Sequence, residues 1–82
     1  MYNRFAKEFG KIIREKRKSQ KFSLEDVAFW ADISKGFLGK IERGEQTTTL
    51  KVIFQISRAL DISLAEIFKF DDIKEFPFER KD

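Results

Sequence analysis

The side chains best placed to do chemistry in this sequence are its cations. There are 17 Lys and Arg against 14 Asp and Glu, with no His and no Cys. Without imidazole or thiol there is no His-based acid–base pair and no thiolate nucleophile. Almost every ligand set that holds zinc or another transition metal is missing too. Glu, Asp, Lys and Ser remain, but no pair stands in a pattern that shifts a pKa or activates a nucleophile, so no enzyme, metal or cofactor is expected. What cations can do is meet phosphate. Residues 1–60 hold 13 basic and 7 acidic side chains and residues 61–82 hold 4 and 7, a polarity of +6 to −3. A basic body suits a phosphate-rich partner, although the same excess also suits a solvated surface.

Those residues need a frame, and the pattern supplies an all-helical one. With 82 residues, 41% of them hydrophobic, the chain can build one small core and hence one domain. Phe5, Phe9, Ile12 and Ile13 recur at helical spacing with Arg4, Lys7, Lys11, Arg14 and Lys18 on other faces, which predicts a first helix from Asn3 to Ser19. Ser23 caps a second helix that begins at Leu24, with Asp26 in the capping-box position and Val27, Ala28 and Ala31 as a narrow apolar face. The pattern breaks at Asp32 and Ile33. Ser34 then caps a third helix, Lys35 to Arg43, which buries Leu38 and Ile41 and stops at Gly44. Thr47, Thr48 and Thr49 precede a fourth over Leu50 to Leu60, and the Ser63–Glu66 capping box opens a fifth with Leu64, Ile67 and Phe68 inside. Residues 1–70 form the domain; residues 71–82, with Ile73, Phe76 and Phe78 around Pro77, form a C-terminal tail whose conformation the pattern leaves open. The longest apolar run, Val27 to Ala31, is far too short for a membrane span, and MYNRFAKEFG is too charged for an export signal, so the cytoplasm is expected.

Two short helices with a tight polar connection, Ser23–Ala31 and Ser34–Arg43, are what a helix-turn-helix needs, since the second offers its N-terminal side chains to the major groove. Ser23-Leu-Glu-Asp-Val-Ala28, Ile33-Ser34, Phe37-Leu38, Ile41-Glu-Arg-Gly44, Leu50-Lys51 and Arg58-Ala-Leu-Asp-Ile-Ser63 resemble the Cro/repressor-type helix-turn-helix family over about residues 9–68. The resemblance implies a compact five-helix, repressor-like DNA-binding domain in which Val27, Ala28, Ile33, Leu38 and Ile41 lock the two motif helices together. It implies a pairing of Arg17 with Glu42, and it places Lys35, Gly36, Gly39 and Lys40 on the base-facing edge with Ser34 at the helix N-terminus. Lysine can donate to guanine N7 and O6, or touch phosphate alone; both readings stand.

Three positions depart from the family pattern. Gly39 stands where a side chain is usual, Asp32 where glycine commonly makes the turn, and Leu24 where a phosphate-binding glutamine is common. Asp tolerates a left-handed turn, but Leu24 removes a contact. Phosphate anchoring then falls to helix N-terminal amides, with Lys21, Ser23, Ser34, Arg43, Thr47 and Thr48 as donors.

The expected function is a one-domain transcriptional regulator that binds double-stranded DNA as a homodimer on a pseudo-palindromic operator. Glu45 to Lys51 is similar to the segment that restriction-modification controller proteins carry after the recognition helix. Phe29, Trp30, Phe37 and Phe54 exceed what the core comfortably hides, so some of them should pack under the motif. Phe54, Ile67, Phe70 and the tail aromatics are the candidates for a dimer face. The alternative is an antitoxin-like interaction module whose tail binds a partner; a toxin, or RNA polymerase, would be the further protein partner.

Overall fold

A computed structural model of the chain describes residues 2–68. Five helices follow one another: α1 (Tyr2–Ser19), α2 (Leu24–Trp30), α3 (Lys35–Glu42), α4 (Leu50–Leu60) and α5 (Leu64–Ile67). Four begin at a hydroxyl that accepts a backbone amide three residues on: Ser23 from Asp26, Ser34 from Phe37, Thr49 from Val52 and Ser63 from Glu66. Each such cap satisfies one of the amides that a helix start leaves without a partner.

Packing follows the apolar stripes. Phe9, Ile13, Val27, Ala28, Ala31, Leu38, Ile41, Ile56, Leu60 and Ile67 form one buried core to which every helix contributes. α1 lies against α3 and α5, α2 against α3 and α4, and α4 against α5. Where α1 crosses the end of α3 the two backbones nearly touch: a Cβ on Gly10 would meet the carbonyl oxygen of Ile41 and lie 2.7 Å from that of Glu42. Glycine is required there by a neighbouring helix. Gly44 ends α3 with φ +74°, and Asp32 makes the α2–α3 turn at φ 60°, the left-handed conformation expected of it.

Two expectations for α5 need correction. Leu64 and Phe68, expected inside with Ile67, are 37% and 39% exposed. Ile67 has no exposed surface at all, because one short turn of α5 pushes it into the core, so it cannot belong to a dimer face. Some of the four surplus aromatics were expected to pack under the motif, and Phe37 does pack against the core, whereas Phe29 is 81% exposed and Trp30 and Phe54 are each 50% exposed. Trp30 does set its ring edge-on to Phe22, with centroids 5.0 Å apart. Phe54 keeps enough surface for a partner; Phe70 and the proposed tail lie outside the described residues.

Candidate nucleic-acid interface

The site is built outward from α3. Leu38 and Ile41 are fully buried, and that ridge fixes which way the rest of the helix turns. Gly36 and Lys40 are exposed on the opposite side, and Lys35 is exposed beside them in the first turn. A Cβ on Gly36 would meet nothing within 4 Å, so this edge is open. Ser34 at the helix start is exposed, and its hydroxyl accepts the Phe37 amide at 3.0 Å while its own proton stays available. Gly39 stands apart from the other three. It is buried, and a Cβ there would lie 3.1 Å from Nη1 of Arg43 and 3.7 Å from the Leu24 side chain. Glycine at this position makes the seat on which the Arg43 guanidinium lies.

The turn that sets α3 against α2 is held from outside the motif. The Ile33 amide donates to the Ala28 carbonyl at 3.0 Å, and Gln55 on α4 donates its amide to the Ala31 carbonyl at 2.7 Å. The far end of α3 is held by α1. Arg17 grips Glu42 through two parallel bonds, Nε to Oε2 at 2.8 Å and Nη2 to Oε1 at 3.0 Å, and its Nη1 donates to the Phe22 carbonyl at 3.0 Å. The hydrogen bond to Glu42 raises the arginine pKa further, so the guanidinium stays charged. One cation thus joins α1, the α1–α2 connection and α3.

The phosphate candidates surround this frame. Ser23 is exposed at the start of α2 and accepts the Asp26 amide at 2.9 Å. Lys21 is exposed in a left-handed turn at φ 61°. Thr47 and Thr48 are half-buried in the α3–α4 connection. Arg43 is exposed but engaged, with Nε donating to Glu45 Oε2 at 3.0 Å and Nη2 to Oε1 at 3.3 Å. The hydrogen bond from Arg43 holds the Glu45 carboxyl below its usual pKa, so the pair is charged at neutral pH. Gln55, Glu45 and Gly10 were missed in the sequence because their partners lie in irregular chain or on other helices. Among the described residues no group of acidic side chains could hold a metal ion, and no helix is long and apolar enough to cross a membrane.

Comparison with known proteins agrees with this architecture. The profile of the helix-turn-helix family matches residues 13–67, which includes both motif helices and α4. The control protein C.BamHI of Bacillus amyloliquefaciens is 32% identical over 74 residues, covering 89% of this chain and 91% of that protein. The regulator SlrR of Bacillus subtilis is 37% identical over 60 residues, 72% of this chain, and the chain spans only 40% of its length. In structure, the restriction-modification controller protein C.AhdI of Aeromonas hydrophila matches with a TM-score of 0.75 and 33% identity, over 77% of this chain and 96% of that one. With the capped helix pair, the left-handed turn and the matching profile together, this chain belongs to the helix-turn-helix family.

Proposed function

We propose that this protein is a sequence-specific DNA-binding transcriptional regulator that occupies a two-fold symmetric operator as a homodimer in the cytoplasm. The observation that carries the reading is the open edge of α3, where Lys35, Gly36 and Lys40 stand exposed outside a fully buried Leu38–Ile41 ridge. Set in the major groove, that edge brings two ammonium groups to base edges, with guanine N7 and O6 as the matching acceptors. Gly36 lets the backbone approach closely. Ser23, Ser34, Lys21 and Arg43 take phosphates and fix the register, aided by the free amides at the starts of α2 and α3. Thr47 and Thr48 supply hydroxyls from the α3–α4 connection.

The regulator is of the restriction-modification controller type, a reading supported by likeness to C.BamHI and C.AhdI over nearly the whole length of each. Dimer formation draws on Phe54, half exposed on α4 beneath the Arg58 guanidinium, which lies 5.9 Å from its ring centre. Light scattering on the complex with a selected operator duplex should find two chains per duplex. A single chain per site would remove the homodimer from this reading.

A further inference from the structure

The outer face of α1 carries a row of cations that the base-facing helix does not require. Lys7, Lys11, Arg14 and Lys18 are all exposed, and Arg4 continues the row toward the N-terminus. Steps of four, three and four residues bring the first four within about 60° of one another on the helix, over about 16 Å of its length. Glu8 and Glu15 stand along one side of the row, on the edge turned away from the Gly10 and Arg17 contacts with α3. Like charges at three- and four-residue spacing work against a helix, and here Glu8 and Glu15, at the same spacings from Lys11 and Lys18, offset part of that repulsion.

The row is continuous with the interface already described. Arg14 and Arg43 line one groove together with Leu24 and Gly39. Lys7 packs where Gly44 ends α3, and the Lys18 carbonyl accepts the amide of Lys21 at 3.0 Å. Lys21 and Arg43, assigned to phosphate, therefore sit at the border of the α1 cations.

We propose that α1 forms a second track for the same duplex, with Lys7, Lys11, Arg14 and Lys18 taking backbone phosphates beside the half-site that α3 contacts. The inference rests on the DNA-binding reading. One strand presents a charge about every 3.4 Å of duplex axis, and the row presents a cation about every 5 Å, a spacing that flexible Lys and Arg stems can match. A lipid surface fits less well, because Phe9 and Ile13 on the opposite side of α1 are buried in the core and leave no apolar face for a bilayer. Phosphate contacts carry no base information, so the track adds affinity and salt sensitivity without changing sequence preference.

The test is the triple variant Lys7→Gln, Lys11→Gln, Lys18→Gln in the full chain, with Arg14 kept because it adjoins the Arg17–Glu42 pair. Binding to a random-sequence duplex several turns long is measured across a salt series. The slope of log K against log salt should become shallower by about 2 to 3, at about 0.9 per phosphate lost, while the melting temperature changes little because lost repulsions and lost pairs with Glu8 and Glu15 offset one another. A parent that binds DNA and a folded variant with the parent's slope would overturn the α1 track alone. So would an unchanged slope on DNA combined with lost binding to single-stranded RNA of equal length. A parent with no salt-dependent DNA binding would remove the DNA-binding reading itself, and the track with it.

Discussion

Replacing Glu42 with alanine removes the carboxylate that Arg17 holds through two bonds of 2.8 and 3.0 Å. The Arg17 side chain is 12% exposed and that of Glu42 5%, so water cannot simply take the place of the lost partner. Breaking a buried ion pair by deleting one member costs about 3–5 kcal/mol. Arg17 keeps its bond to the Phe22 carbonyl and a little solvent, which places the expected loss lower, at about 2–3 kcal/mol. In a domain of this size that lowers Tm by about 10–20 °C.

Thermal unfolding followed by circular dichroism on the parent, Glu42→Ala, Arg17→Ala and the double variant measures it, and the double variant should lose clearly less than the two singles added. Because Arg17 has a raised pKa in the fold, its contribution is fully present below the unfolded arginine value and is lost only as pH rises through the folded one. The loss of Tm should therefore be flat across about pH 6–9. DNA affinity of the folded fraction should change little. A loss no larger than an exposed pair shows, about 0–1 kcal/mol, would refute the reasoning.

Gly10→Ala should leave little folded protein at ambient temperature, since its Cβ would run into the Ile41 and Glu42 carbonyls; a parent-like melt would show that α1 can move away freely. Gly36→Ala, with nothing in its way, should instead stabilise α3 by about 0.5–1 kcal/mol while weakening operator binding, both read from melts and a binding titration. Arg43 holds Glu45 below the ordinary value of 4.5, so their pair persists as pH falls through that value and lets go only below it. In Arg43→Gln the Glu45 carboxyl resonance should titrate at higher pH than in the parent; equal midpoints would dissolve the pair. Glu45→Gln should free Arg43 for phosphate and steepen the salt dependence by about 1, whereas an unchanged slope would mean that Arg43 meets no phosphate.

Much of this fold is written in local signals. Ser23, Ser34 and Ser63 announce helix starts because a cap needs only its own next three residues, and Gly44 marks an end for an equally local reason. Asp32 in the left-handed turn belongs to the same class. The Arg17–Glu42 pair is different: 25 positions separate the two, and only likeness to a family joined them before the structure did. Nothing local marks Gly10, whose need for a bare Cα comes from carbonyls more than thirty positions away. Gln55 is similar, a polar residue on α4 whose partner, the Ala31 carbonyl, is set by the packing of that helix on the turn. Ile67 was read both inside α5 and on a dimer face, because a one-turn helix has too few residues to say which side is inward; only the first reading stands. Gly39 was set on the base-facing edge by likeness to the family alone, while the bulk that covers it comes from Arg43 and Leu24.

The most direct test of sequence-specific DNA binding through α3 is selection from a random duplex pool, run in parallel with the parent and Lys40→Ala and sequenced after several rounds. Expected is a two-fold symmetric motif for the parent, with half-sites about one helical turn apart. For Lys40→Ala the same motif should lose its preference at one symmetric pair of positions, by about 1–3 kcal/mol. No enrichment by the folded parent at low salt would contradict sequence-specific binding outright.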